Sequence, residues 1–85
     1  MRLQAFPNPF SEQVTFDFTV EKTQPATLEI YDLKGVLVKK LFDGEAQAGQ
    51  HYQVAWNAAL LKSGLFIGRL TSGHQSATQK VILQR

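Results

Sequence analysis

With 85 residues the chain has room for one domain, and with no cysteine it excludes disulfides, thiolate catalysis, thiolate zinc sites and iron–sulfur clusters. A hydrophobic share of 44% against 19% charged residues excludes a disordered segment and leaves a thin core. The nine Lys and Arg are scattered, so the net charge of +2 provides no basic stripe for nucleic acid.

The start, MRLQAFPNPF, lacks the apolar stretch of a signal peptide, so an exported protein is expected to carry its signal further upstream. Residues 1–4 read as an expression start or linker remnant, with the domain proper over residues 5–85. A short extended piece is expected near Leu3 to Phe6. QVTFDFTV, residues 13–20, alternates strictly, with Val14, Phe16, Phe18 and Val20 on one face: a half-buried strand. ATLEIY, 26–31, repeats the pattern with Leu28 and Ile30 inward. GVLVKKLF, 35–42, is apolar with a less clean period, and DGEAQAGQ, 43–50, reads as a polar connection.

HYQVAW, 51–56, puts Tyr52, Val54 and Trp56 on one face. NAALLKSG, 57–64, is the one candidate for a helical turn. LFIGRLT, 65–71, and ATQKVILQ, 77–84, complete the set, joined by a hairpin loop centred on Gly73. DLKG, Asp32 to Gly35, reads as a tight reversal, because Asp bonds its own backbone two residues on and Gly accepts positive φ. About seven short strands at regular spacing predict an all-β, antiparallel sandwich. Its core is expected around Phe16, Phe18, Leu28, Ile30, Val54, Trp56, Phe66 and Leu70. No apolar run approaches the ~20 residues of a membrane helix.

No residue pattern points to catalysis, a metal or a cofactor. His51 and His74 stand alone at a strand start and in a hairpin loop, where histidines are surface residues. The serines lie in turn-like segments and none sits in a G-x-S-x-G elbow. Asp17, Glu29 and Asp32 lack the clustered D-x-[DN]-x-[DN]-G loop of a calcium site. Gly64 and Gly68 flank a strand rather than open a helix, so no phosphate cradle forms. Trp56 on the apolar face of a strand belongs to the core before it belongs to a sugar platform.

The turns and strands together resemble a known family. In order they are Pro7-Asn8-Pro9, then Tyr31-Asp32-x-x-Gly35, then Trp56-Asn57, then Ser63-Gly64-Leu65-Phe66, then Lys80 followed by Val81, Ile82 and Leu83. This series is similar to the Ig-like type A C-terminal sorting domain of the bacterial type IX secretion system, from about Ala5 to the last residue. Phe66 stands where that family has a Tyr, which keeps the aromatic packing without the hydroxyl. The segment around Trp56-Asn57 also resembles the Ig-like domain of flagellar hook-capping proteins, a related sandwich.

The resemblance implies a delivery signal and not a catalyst. A cargo domain N-terminal to this segment would transit the periplasm and be directed through the outer membrane by the secretion machinery. A sortase-like protease at the cell surface commonly removes the domain, leaving the cargo surface-bound or extracellular. Gly64, Phe66, Lys80, Val81, Ile82 and Leu83 are the expected contacts. An ordered, apolar tail at Val81 to Leu83 fits a domain read at its C-terminus. The alternative is an Ig-like accessory or adhesion module that binds protein or glycan in an extracellular protein. An edge strand this apolar can also pair with a copy of itself, as in a crystal homodimer.

Overall fold

Alternating residues need one face covered, and here seven such segments cover one another. The computed structural model describes residues 1–85. Its strands are β1 (Arg2–Phe6), β2 (Gln13–Thr19), β3 (Gln24–Asp32), β4 (Leu37–Ala46), β5 (Tyr52–Asn57), β6 (Gly64–Ser72) and β7 (Gln75–Leu83). They form two antiparallel sheets, ordered β1-β2-β5 and β4-β3-β6-β7. The expected all-β, Ig-like sandwich is therefore the observed fold. Across the interior β1 lies against β7, and β5 against β4.

The core is built by the inward-facing residues of both sheets. Val14, Phe16 and Phe18 of β2 meet Leu28 and Ile30 of β3, Leu70 of β6, and Val81 and Leu83 of β7, all essentially without solvent contact. Burial of each large side chain contributes about 1.5–3 kcal/mol. Val54, expected in this core, is only half-buried. It belongs to β5, an edge strand, whose inward side lies at the margin of the sandwich.

Segment 43–50 also departs from expectation, because its first half continues β4 as far as Ala46. The unclear period of this stretch has a physical cause. Glu29 pairs with Lys40 and Tyr31 with Leu37, while Leu28 pairs with Phe42 and Ile30 with Lys39, so β4 carries an extra residue at each of two register shifts. Each bulge flips the following side chains to the other face. Segment 57–64 makes one turn, closed by Leu61 N–H to Ala58 C=O at 3.0 Å, and no helix.

The expected reversal at Asp32 is present, with the Asp32 carboxylate accepting from the Lys34 and Val36 amides at 2.9 and 3.0 Å. Gly35 supplies the left-handed conformation there, at φ 84°. The two ends of the chain lie at opposite poles. Met1 is beside Glu21 of the β2–β3 turn, whereas the Arg85 amide donates to Ser63 Oγ beyond the start of β6.

Candidate functional site

The terminal strand divides its residues by parity. Val81 and Leu83 are buried, while Lys80 and Ile82 face solvent from the outer side of the four-stranded sheet. β6 runs alongside, pairing Gly64 with Leu83, Leu65 with Ile82, Phe66 with Val81 and Ile67 with Lys80. The fold thus brings together the six residues expected to be recognised. It leaves only Lys80 and Ile82 with side chains a partner can reach, because Phe66 is buried against Trp56. Those rings meet edge to face at 5.2 Å and 78°, and Phe10 closes the cluster with its centroid 5.9 Å from Trp56. Trp56 is therefore a core residue.

The Pro7-Asn8-Pro9 segment reaches the same place from the far end of the sequence. The sequence predicts an extended lead-in. The chain instead bends over residues 7–9, because it must pass from β1 in one sheet to the margin of the other. There Asn8 clamps the outer edge of β7, its Nδ2 donating to the Lys80 carbonyl at 2.8 Å and its Oδ1 accepting from the Ile82 amide at 3.0 Å. Phe10 extends the contact as a parallel bridge to Leu83. Its amide donates to the Ile82 carbonyl, and its carbonyl accepts from the Gln84 amide, both at 2.8 Å. An edge strand normally presents these groups unpaired. Here the Lys80 carbonyl, both Ile82 groups and the Gln84 amide are taken.

The Asn8 amide is a donor and an acceptor in one plane, the same pair a neighbouring backbone would offer. Sequence reading does not find this contact, because nothing local links Asn8 to β7. The one available signal is a carboxamide held between two prolines beside an unpartnered apolar strand.

On the outer face the Tyr31 hydroxyl donates to Glu29 Oε1 at 2.8 Å. That hydrogen bond to a carboxylate, helped by desolvation and the negative charge, raises the Tyr31 phenol above its ordinary pKa. Lys40 lies 3.9 Å from the same carboxylate and 3.5 Å from Asp43. Asp32 and Gly35 are spent on the turn. Gly64 has an ordinary backbone, and a Cβ there would meet only the Lys62 carbonyl oxygen at an ordinary 4.0 Å, so the fold makes no demand for glycine there. Gly68 does meet a steric limit: a Cβ would stand 2.6 Å from Phe16 Cε1.

No three His, Cys, Asp or Glu residues are placed to hold a metal ion. His51 and His74 are both exposed, and His51 Nδ1 lies 3.6 Å from Asp17 Oδ1.

Comparison with known families and proteins adds to this geometry. No curated protein matches the chain. The family of secretion-system C-terminal sorting domains matches residues 4–84, which takes in β2 to β7, the end of β1 and the Asn8 clamp. The match favours the sorting signal, and nothing in it favours the accessory-module alternative. Over that span the chain belongs to the secretion-system C-terminal sorting domains, the signals by which cargo is exported through type IX secretion to the cell surface or beyond.

Proposed function

We propose that the folded domain is a non-catalytic address read by the outer-membrane type IX machinery at the solvent side of β7, and that Lys80 and Ile82 are its first contacts. One observation carries this reading. The terminal strand keeps Val81 and Leu83 in the core while Asn8 and Phe10 fix its outer edge, so Lys80 and Ile82 are displayed on a rigid backbone. A preorganised surface loses little freedom on binding. Phe66, Val81 and Leu83 then act by holding the strand, and Gly64 by leaving the start of β6 uncovered.

A cargo domain joined ahead of Met1 sits at the pole remote from the tail. The cargo folds in the periplasm, and a sortase-like protease acts on the chain at or before β1, leaving the cargo at the surface or released. In this division residues 5–85 carry the sorting domain, and residues 2–4, paired with β2 as the start of β1, join it to the cargo.

The test is a fluorescent cargo bearing an export signal and ending in residues 1–85, expressed in a host with type IX secretion. Fluorescence at the cell surface or in the medium is expected. Retention in the periplasm contradicts the reading.

A further inference from the structure

We infer that the outer face of the four-stranded sheet, well beyond the terminal strand, is a docking surface for a protein partner that is apolar at its centre and acidic at its rim. This rests on the sorting reading and extends it to the partner's chemistry.

The two outer faces of the sandwich differ. On the three-stranded sheet the outward rows are Gln4, Asp17 and Gln53, and Phe6, Thr15 and Ala55, with Phe6 the one large apolar side chain among them. On the four-stranded sheet the outward positions of β6 are Leu65, Ile67, Arg69 and Thr71, apolar over the first half of the strand. Leu65 pairs with Ile82, and Ile67 stands between Tyr31 and Lys80. Leu37 continues the row beyond Tyr31 and is 47% exposed, while Ile82 is 36% exposed. The result is a contiguous apolar strip across four strands, where period-2 patterning calls for polar residues. A shallow depression of about 390 Å³ adjoins the strip at Tyr31 and Ile67, and its remaining wall is mostly polar, with Asp32, Arg69, Ser76 and Thr78.

The charges on this face decide what fits. Arg69 and Lys80 flank Ile67, both exposed and neither in an ion pair. Glu29 stands across from Arg69 in the register, but its carboxylate is engaged by Tyr31 and lies 3.9 Å from Lys40. A partner with carboxylates at its margin satisfies Arg69 and Lys80 while its apolar centre covers Ile67. A two-fold contact centred on Ile67 sets Arg69 and Lys80 against their own copies and brings like charges together. The domain's own cargo joins at the Met1 pole, so the occupant is a separate protein.

The experiment uses the cargo fusion with Ile67→Glu and Arg69→Glu together, beside a control with Thr15→Glu and Gln53→Glu on the opposite outer face. The first pair is expected to lower export about tenfold or more, the control to leave it unchanged, and Arg69→Lys to retain it. Thermal midpoints are matched first. If Ile67→Glu fails to fold, Ile67→Ser with Arg69→Gln replaces it and the same loss is expected. Normal export of a folded outer-face variant overturns this inference while the sorting reading stands. Periplasmic retention of the unmodified fusion overturns the sorting reading and this inference with it. Arg69-dependent binding to phosphatidylcholine–phosphatidylglycerol vesicles, or dimerisation lost with Ile67→Glu, also overturns it, by assigning the face to a membrane or to a second copy.

Discussion

Asn8 and Ile82 lie 74 residues apart in sequence and are joined by a 3.0 Å hydrogen bond from the Ile82 amide to the Asn8 side chain. With the companion bond to the Lys80 carbonyl, one side chain caps two backbone groups on the outer edge of the terminal strand. Augmentation by a partner strand along residues 80–84 therefore requires displacement of the Pro7–Phe10 segment. The outward backbone of Ser76 and Thr78 is not covered by that segment. An edge-strand homodimer meets the same obstacle at the tail.

Asn8→Ala removes both bonds. The expected loss is about 1–2 kcal/mol, since each exposed hydrogen bond is worth about 0.5–1.5 kcal/mol net. The thermal midpoint should fall by several degrees. Hydrogen exchange at the Ile82 amide should accelerate more than at Val81, whose amide faces β6. Asn8→Asp keeps the acceptor, so Ile82 should remain protected while part of the stability is lost. Unchanged Ile82 exchange in Asn8→Ala would show that the clamp is open in solution.

The two β6 glycines should respond in opposite ways. Gly68→Ala forces a methyl to within 2.6 Å of the Phe16 ring and should destabilise the domain by about 1–3 kcal/mol, read by chemical denaturation. Gly64→Ala makes only an ordinary contact with the Lys62 carbonyl oxygen and should fold with nearly wild-type stability. A drop in cargo export with Gly64→Ala at unchanged stability would locate a partner's close approach at β6's first residue.

Trp56→Ala opens a cavity between Phe10 and Phe66, and should cost about 3–5 kcal/mol. Phe10 is also the residue that bridges to Leu83, so the same substitution should loosen the tail. Faster exchange at Gln84, beyond the global effect, is the expected signature. Trp56→Phe keeps most of the ring contact and should preserve tail protection.

Tyr31 titrates later than an ordinary phenol because its hydroxyl is bound to the Glu29 carboxylate. A group whose pKa is raised on folding stabilises the fold below its unfolded value, about 10 for tyrosine, and that stability is lost as pH rises through the raised value. Spectrophotometric titration should show one late-ionising tyrosine, absent in Tyr31→Phe. Glu29→Gln should return it toward the ordinary range. A titration indifferent to Glu29→Gln would rule out the carboxylate as the cause.

Much of this architecture is legible in the sequence because its period is short. Val14, Phe16 and Phe18 reveal β2 by alternation alone, and Val81 and Leu83 declare an inward face in the same way. The turn at Asp32 follows from the preference of Asp and Gly for such sites. β4 is obscured because its two bulges shift the alternation, and a bulge leaves no reliable mark in one strand's sequence. Asn8 is illegible for another reason: its partners are on β7, and the contact exists only once both sheets have formed. The apolar outer strip is hidden in a similar way. Alternation with Phe66, Leu70, Val81 and Leu83 already puts Leu65, Ile67 and Ile82 outside, but only the register of β3, β6 and β7 brings them into one strip.

Deletion of the tail is a poor probe of recognition, because Val81 and Leu83 are 0% and 1% exposed and their removal opens the core. Export of the cargo fusion carrying Lys80→Glu and Ile82→Glu tests the role of the terminal strand directly. Both changes touch solvent-facing positions and should leave the thermal midpoint within a few degrees of wild type. If the solvent side of β7 is the address, the folded double variant accumulates in the periplasm while the unmodified fusion reaches the surface. Equal export of the two fusions would contradict that assignment.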